Sequence, residues 1–265
     1  MALPPSLSID RLSVRLSGQP ILDRISLTLD RGQRIALLGR SGSGKSMTAR
    51  AAFGLLPPQA EIAGRMEVDG IDVTRAPALS RPAAARPAMV MQDTQAALNP
   101  LATIGRQLEQ PLRRTGLGPA DARLASHDLL EQVGLPEPAQ IARRFSPELS
   151  GGQRQRVCIA MAVACKAPVI IADEPTSSLD VVTQAQILRL LHDVTTVPGG
   201  PGLLLITHDL HAAAHLGDRA LVIEAGRIVE DAPMRQIVTN PRHPHTRDLI
   251  ASAASCGIAC ERLYG

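Results

Sequence analysis

A turn rich in glycine and serine, set between an apolar run and a lysine, is the strongest constraint on how this chain folds. Residues 37–46 read LLGRSGSGKS, which fits the pattern G-x-x-x-x-G-K-[ST] from Gly39 to Ser46. The preceding Arg34–Leu38 is apolar enough for a buried strand, and Lys45–Leu56 has a helical pattern that stops at two prolines. The sequence therefore predicts a strand, a tight loop and a helix in that order.

A loop of this composition suits a phosphate chain. Large side chains would keep a phosphate away from successive backbone N–H groups, and glycine also adopts positive φ without strain. The positive end of the helix dipole favours an anion at the same place. Lys45 is expected to reach the β- and γ-phosphates, and the Ser46 hydroxyl is expected to ligate Mg²⁺. The residues predicted to contact the nucleotide here are Gly39, Arg40, Ser41, Gly42, Ser43, Gly44, Lys45, Ser46 and Met47.

Two carboxylates follow another apolar strand, at residues 169–174 (VIIADE). Asp173 at the strand end can orient a metal through its water shell, and Glu174 can be the general base for an attacking water. The pattern is common by itself and becomes specific only beside a phosphate loop. His208 follows the apolar run LLLIT and precedes an aspartate that can start a helix. Taken alone, His208 would be interpreted as a structural cap.

A second run of small residues, LSGGQ at 149–153, precedes another helical pattern. Ser150, Gly151 and Gly152 could form a second anion cradle by the same argument as the first. One ATP does not need two cradles from one chain, so this interpretation implies a dimer whose partner nucleotide is covered by the second cradle. The alternative is an N-cap turn, with Ser150 capping the helix and Gln153 three residues later. The residues alone do not decide between the two.

Together these motifs resemble those of the ATP-binding cassette (ABC) ATPases, over residues 5–245. GRSGSGKS is similar to the Walker A motif, VIIADE to Walker B with its catalytic glutamate, and LSGGQ to the family signature. Residues 178–180 resemble the D-loop, Gln92 in MVMQD the Q-loop, and His208 in LLLITHD the switch histidine. The order and spacing of the motifs match as well.

The resemblance implies an ATPase that uses ATP and Mg²⁺ and works as a head-to-tail dimer enclosing two ATP molecules. Glu174 and His208 would be catalytic, and Ser46, Gln92 and Asp173 would hold Mg²⁺. The residues that the resemblance adds to the nucleotide site are Gln92, Ser150, Gly151, Gly152, Gln153 and Asp180.

The resemblance also implies the fold: an α/β P-loop NTPase core of the RecA-like type, with an antiparallel β subdomain and an inserted α-helical subdomain. The sequence pattern agrees, because strands come first, then helices, and then the two alternate. We expect the core in residues 1–92 and 167–235, the helical signature subdomain in 93–166, and a C-terminal tail in 236–265.

Composition limits the kind of partner. The net charge is only +3 and the aromatic residues are two Phe and one Tyr, so a nucleic acid is not expected. No apolar run reaches the roughly 18 residues of a membrane span, and the N-terminus lacks the pattern of a signal peptide. The resemblance implies a peripheral protein at the cytoplasmic face of the cell membrane. Its partners would be a second ABC ATPase subunit in a heterodimer, two permease subunits and an extracytoplasmic substrate-binding protein.

Two segments narrow the resemblance to importers of dipeptides, oligopeptides and nickel: AALNPLATIGRQLEQPL and, near the C-terminus, NPRHPHTRDLIAS. Peptide-importing members usually continue into a longer tail with a cysteine cluster, whereas this chain has only Cys256 and Cys260 there. We therefore expect import of nickel or a metal chelate, with peptide import as the alternative and a soluble, non-transport ABC ATPase as a third possibility. His243 and His245 are expected to be solvated.

Two further expectations concern single residues. The family usually has an aromatic residue that stacks on adenine, but the matching stretch VRLSGQP has none, so Arg15 or Leu16 would have to contact the base. Cys158 and Cys165 lie in an apolar helical pattern and are expected to pack in the core.

Overall fold

The computed structural model describes residues 3–255, and the chain divides into two compact units. The first unit comprises the chain up to Pro87, Pro168–Asp173 and the chain from Thr195 onward; the second comprises Ala88–Ala167 and Glu174–Val194. The boundaries differ from the expected ones, because the helical unit starts before residue 93 and includes 174–194. The reason is local packing: a Cβ at Gly152 would lie 2.8 Å from Thr183, so this glycine lets the two segments touch.

Strands and helices within the described residues are numbered separately along the chain. The strands are β1 Leu7–Leu16, β2 Gln19–Leu29, β3 Arg34–Leu38, β4 Glu61–Val68, β5 Ile71–Asp72, β6 Ala88–Val90, β7 Val169–Asp173, β8 Gly202–Thr207, β9 Arg219–Glu224 and β10 Arg227–Pro233. The helices are α1 Lys45–Phe53, α2 Thr94–Ala97, α3 Ile104–Arg114, α4 Pro119–Gln132, α5 Pro138–Ile141, α6 Gly151–Ala164, α7 Val181–Thr195, α8 Leu210–Leu216, α9 Met234–Thr239 and α10 Pro244–Ser255.

A mainly parallel sheet forms the centre of the first unit, with strands in the order β10-β9-β3-β8-β7. β3 pairs in parallel with both β8 and β9, and β8 pairs in parallel with β7. All six residues of β8 are buried, as are four of the five in β7. Such continuous apolar strands are typical of parallel sheets that are covered on both faces.

A separate antiparallel sheet of order β2-β1-β4-β5 belongs to the same unit. In β2, buried and exposed residues alternate from Ile25 to Leu29, as expected for a strand with one face in the core and one in solvent. The predicted α/β architecture with an antiparallel subdomain is therefore present. Alternation over residues 7–16, the apolar run 34–38 and the helical pattern over 104–114 predict β1, β3 and α3 with the bounds that the structure shows.

Helices dominate the second unit. α3, α4 and α6 meet through a buried cluster of Leu112, Ala122 and Ala164. Cys158 on α6 is buried as expected, and burial raises the pKa of its thiol to about 12. The expectation for Cys165 is wrong, because α6 ends at Ala164 and leaves Cys165 exposed as its C-cap.

Helix α1 ends earlier than expected, at Phe53 rather than residue 56. Gly54 follows in the left-handed conformation, with φ 70°, and its N–H is bonded to the carbonyl of Ala51. A left-handed glycine is a frequent helix terminator, and here it acts before the two prolines do.

Residues 74–87 are rich in Arg, Ala and Pro, which predicts a connection at the surface, yet Arg81 within it is only 1% exposed. Its guanidinium donates hydrogen bonds to the carbonyl oxygens of Ala51 and Ala52 at the end of α1 and, at 2.9 Å, to that of Ala76. Burial lowers the pKa of Arg81 from its ordinary value. A buried cation therefore binds the carbonyl groups at the end of α1, where a positive charge is favourable.

Replacing Arg81 by methionine is expected to lower the free energy of unfolding by about 2–4 kcal/mol, because several buried carbonyl groups lose their donor. Urea unfolding followed by circular dichroism measures the change. Arg123→Met, at an exposed position of α4, is the matched control and is expected to change it by less than about 0.5 kcal/mol. Equal stability of the two variants would contradict the role given to Arg81.

Candidate nucleotide-binding site

The motif residues of the first unit collect at the carboxyl end of its parallel sheet. Register pairs Leu38, the last residue of β3, with Thr207 at the end of β8, and Ile206 with Asp173 at the end of β7. The loop after β3, His208 after β8 and Asp173 itself therefore share one edge. Ligands of open α/β sheets bind at this edge.

The loop from Gly39 to Gly44 needs glycine for two separate reasons. Gly42 and Gly44 have φ of 78° and 115°, in the region where other residues are strained. Gly39 has ordinary dihedral angles, but a Cβ there would lie 2.5 Å from the carbonyl oxygen of Ile223. The first requirement is conformational and the second is steric, and together they fix the path of the loop.

Lys45 is folded back over this loop. Its Nζ donates hydrogen bonds to the carbonyl oxygens of Gly39 at 2.6 Å and Arg40 at 3.0 Å, and only 8% of the residue is exposed. Helix α1 begins at Lys45 with neither a side-chain cap nor an acidic residue in its first turn. The first turn itself thus carries no carboxylate that would compete with a bound phosphate.

Oxygen ligands suitable for Mg²⁺ are present at the same edge. Ser46 is exposed in the first turn of α1, and Asp173 is half-buried at the end of β7. Hydroxyl and carboxylate oxygens together with water are the ligands that Mg²⁺ prefers. Glu174 follows directly, with φ 47°, an unusual value for a residue other than glycine. Such strain is typical of functional positions.

His208 is exposed directly after β8, and Gly39 lines the same small cavity as His208. The neighbouring Asp209 is the N-cap of α8: its carboxylate accepts a hydrogen bond from the N–H of His211 at 2.7 Å. The capping function therefore belongs to Asp209, which leaves the structural-cap interpretation of His208 without support.

In the second unit, LSGGQ begins helix α6 with a capping box. The Ser150 Oγ accepts a hydrogen bond from the N–H of Gln153, and the Gln153 side chain accepts one from the N–H of Ser150. The N-cap interpretation is thus confirmed. Ser150 is nevertheless exposed, so the cap does not withdraw the turn from the surface.

The D-loop residue Asp180 also caps a helix. Its carboxylate accepts hydrogen bonds from the N–H of Thr183 at 3.0 Å and from the Thr183 hydroxyl at 2.7 Å. These two hydrogen bonds lower the pKa of Asp180 below its ordinary value. Thr183 also faces Gly152, so the start of α6 and the start of α7 are packed together.

A surface hollow of about 400 Å³ in the second unit brings three motifs together. Gln92 lines it from the Q-loop, Gly151 from the signature, and Ser178 and Leu179 from the D-loop. These residues come from distant parts of the sequence. The structure therefore brings these three segments together at one surface of the second unit.

Arg15 and Leu16 are the residues expected beside adenine, and neither has an aromatic ring. The Arg15 side chain makes other polar contacts in the structure. The Arg15 guanidinium donates a hydrogen bond to the carbonyl of Gly18 at 2.8 Å and lies 4.0 Å from a Glu61 oxygen. Leu16 is half-buried beside it. Leu16 is thus the residue of the two without a competing polar contact.

The pattern LVIEAGRIV predicts the β9–β10 hairpin, but sequence reasoning missed that this hairpin supports the phosphate loop. The N–H of Gly226, in the turn between β9 and β10, donates a hydrogen bond to the carbonyl of Ser43 at 2.8 Å. Ile223 on β9 lies against both Gly39 and Gly44. The apolar hairpin pattern was recognisable, but nothing in it indicated this contact.

The expectation that His245 is solvated is wrong. The residue is 8% exposed, because α10 packs through Leu249 and Ile250 on the apolar cluster that includes Ala220 and Val222 of β9. His243 is half-buried next to it. Cys256 and Cys260 lie outside the described residues.

The sequence matches the family described as ABC transporter over residues 22–177. This chain belongs to that family. The predicted fold and the predicted enzyme class, an ATPase, are confirmed at the level of the family. In the part of the chain that the structure describes, no helix is long and apolar enough to cross a membrane.

Relatives of known name are transport proteins. The chain is 42% identical to "Peptidoglycan transport ATP-binding protein YejF" of Agrobacterium fabrum, over 94% of this chain and 47% of that protein. It thus spans about half the length of that relative. It is 39% identical to "Oligopeptide transport ATP-binding protein OppD" of Lactococcus lactis subsp. cremoris, over 96% and 76%. It is 38% identical to "Dipeptide transport ATP-binding protein DppD" of Escherichia coli, over 97% and 81%. These names favour the peptide alternative over the main expectation of nickel.

Solved structures agree on the fold. CbiO1 from Clostridium perfringens, part of an ABC transporter complex, has a TM-score of 0.77 at 24% identity, over 89% of this chain and 92% of that one. A dimeric post-hydrolysis state of the ATP-binding cassette MJ0796 bound to ADP and Pi has a TM-score of 0.71 at 26% identity, over 86% and 98%.

Replacing Lys45 by methionine is expected to weaken ATP binding at least tenfold, because the loop loses the cation that reaches the phosphates. Fluorescence titration with a labelled ATP analogue measures the dissociation constant. Lys166→Met, which removes an exposed lysine in the second unit, is the control and should leave it unchanged. Unchanged affinity in Lys45→Met would show that the loop does not hold the nucleotide.

Proposed function

We propose that this chain is the ATP-binding and ATP-hydrolysing subunit of an importer for oligopeptides or dipeptides. The observation that carries the proposal is the loop after β3, whose glycines are required by dihedral angle and by contact, at the sheet edge that also bears Asp173 and His208. Family membership supports the ATP-binding role, and the names of the relatives support peptides as the cargo.

In this proposal the first unit binds the nucleotide. Backbone N–H groups of the loop and of the first turn of α1 hold the phosphates, and Lys45 exchanges its two carbonyl partners for phosphate oxygens. Ser46 and Asp173 would hold Mg²⁺. Bound Mg²⁺ supplies charge neutralisation at the phosphates.

Glu174 is the proposed general base. It directly follows Asp173, and its left-handed φ of 47° makes the chain turn at this point. The Glu174 carboxylate would accept the proton of the attacking water, and His208 would contact the γ-phosphate. Little covalent chemistry falls to the protein in such a reaction, so these residues act mainly by position and charge.

Hydrolysis in this proposal needs a second cassette. Ser150 is exposed at the N-terminus of α6, a helix of 14 residues, and its hydroxyl oxygen already accepts a hydrogen bond from the N–H of Gln153. The hydroxyl proton is therefore still available to a phosphate of a partner's ATP. Gly151, Gly152, Gln153 and Asp180 belong to the same surface.

The proposed partners follow from this arrangement. A related second subunit would complete the ATP sites, and two permease subunits would dock at the hollow lined by Gln92, so that closure moves them. An extracytoplasmic binding protein would deliver the peptide. The chain would then lie at the cytoplasmic face of the cell membrane, bound through the permeases.

The proposal predicts that a negative charge at position 150 lowers ATP hydrolysis even when the N-cap of α6 is kept. Asp and Asn are both good N-cap residues and nearly isosteric, so Ser150→Asp and Ser150→Asn should both keep α6 intact. The carboxylate of Ser150→Asp would repel a partner's γ-phosphate. ATP hydrolysis by the assembled complex should therefore fall at least tenfold in Ser150→Asp relative to Ser150→Asn, with ATP affinity of the isolated subunit unchanged.

Two results would count against this role of Ser150. Equal hydrolysis by the two variants would mean that residue 150 serves only as a cap. Loss of ATP binding by isolated Ser150→Asp subunit would mean that the signature turn contacts the nucleotide of its own chain.

The cargo is testable in cells that carry or lack this subunit. Uptake of a labelled dipeptide and of a labelled tripeptide should drop to background when Lys45→Met replaces the natural chain, whereas uptake of labelled nickel should not change. Nickel uptake that depends on Lys45, with no effect on the peptides, would restore the original expectation.

A further inference from the structure

The segment that precedes and begins α10 is fixed to the β9–β10 hairpin, although its composition is that of a polar tail. We define the tail segment as residues 241–250, PRHPHTRDLI. Leu249 and Ile250 pack against the apolar cluster that lines β9 and β10, and these two side chains also line the small cavity beside His208. The tail segment therefore lines the same cavity as Gly39 and His208.

The first polar anchor of the tail segment is Glu230 on β10. This residue is 8% exposed, and its two carboxylate oxygens accept hydrogen bonds from the N–H groups of Arg242 and His243, each at 2.9 Å. A buried carboxylate with two backbone donors has a fixed geometry. The chain just before α10 is thus held at a defined place along β10.

The second anchor is the imidazole of His245. Its Nδ1 lies 3.1 Å from an Oε1 of Glu224, the last residue of β9. This distance places the buried ring in close polar contact with the end of β9. The Nε2 atom is buried and has no hydrogen-bond partner among the described residues. The polar contact of this ring is therefore directed at Glu224 alone.

Glu224 stands next to the turn that carries the phosphate loop. Ala225 and Gly226 both have positive φ, 46° and 77°, as in the tight two-residue hairpin turns that fit the twist of the strands. Gly226 donates the 2.8 Å hydrogen bond to the Ser43 carbonyl, and its own carbonyl accepts one from the N–H of Asp23. A left-handed alanine is strained, so this turn depends on its surroundings to hold its shape.

We propose that His245 is a positioning residue for the nucleotide site: by holding Glu224 it keeps the β9–β10 turn against the phosphate loop. The chain of contacts runs from His245 to Glu224, along the backbone to Gly226, and from there to Ser43. The inference rests on the proposed role of residues 39–46 as the phosphate site. His245 does not touch the phosphates in this scheme.

The kinetic signature of this role differs from that of a catalytic residue. The loop N–H groups bind the phosphates before and during the reaction alike, so a looser loop weakens ground state and transition state together. The dissociation constant and the KM for ATP rise in such a case, and kcat stays nearly constant.

The test measures binding of a fluorescent ATP analogue to the full chain, and kcat and KM for ATP in the assembled complex. His245→Ala is expected to raise the dissociation constant roughly threefold to tenfold, with kcat for ATP changed by less than about twofold. His245→Asn, whose amide can donate from the position of Nδ1, should retain most of the affinity. His215→Ala, which removes an exposed histidine of α8, is the matched control and should bind as the natural chain does.

Glu224→Ala provides a second route that does not disturb the core, because the Glu224 side chain is 43% exposed. It should weaken ATP binding as His245→Ala does, and the double variant should lose no more than either single one. Unchanged affinity in both single variants, a fall of kcat without a change in affinity, or His245→Asn as weak as His245→Ala would each overturn the inference.

Lys45→Met separates this inference from the proposed function. If Lys45→Met loses affinity and both Glu224→Ala and His245→Ala keep it, only the positioning role is wrong. If Lys45→Met also keeps its affinity, the phosphate site itself is wrong and the inference falls with it.

Discussion

The fixed backbone of the loop between β3 and α1 is the constraint on which the rest of the site depends. Gly42 and Gly44 bend the chain through dihedral angles that other residues avoid, and Gly39 lies against the carbonyl of Ile223 with no room for a Cβ. The path of the loop is therefore fixed both by the dihedral angles of its own glycines and by contact with β9. Because β9 pairs directly with β3, one sheet positions both the loop and its support.

Local patterns explain why much of this could be predicted from sequence. β1, β3 and α3 have the predicted bounds, since alternation and helical periodicity depend on neighbours along the chain. The phosphate loop was recognisable for a related reason: its glycines are dictated by backbone geometry within eight residues, 39–46. Asp209 as the start of α8 was likewise readable, because capping acts over two residues.

What sequence could not supply depends on contacts between distant residues. Arg81 is polar and lies among prolines, yet the end of α1, 29 residues earlier, takes it into the interior. His245 is hidden by the same kind of contact with Glu224, and Cys165 is exposed only because α6 ends one residue before it. The expectation of nickel rested on the length of the tail, whereas relatives that match over most of this chain are named for peptide transport.

A structure of the protein with Mg²⁺ and a non-hydrolysable ATP analogue tests the central claim most directly. The account predicts that the β- and γ-phosphate oxygens lie within hydrogen-bond distance, about 2.7–3.2 Å, of backbone N–H groups of residues 39–46. It also predicts that Lys45 Nζ leaves the carbonyls of Gly39 and Arg40 for the phosphates. A triphosphate bound elsewhere, with Lys45 still on those two carbonyls, would contradict it.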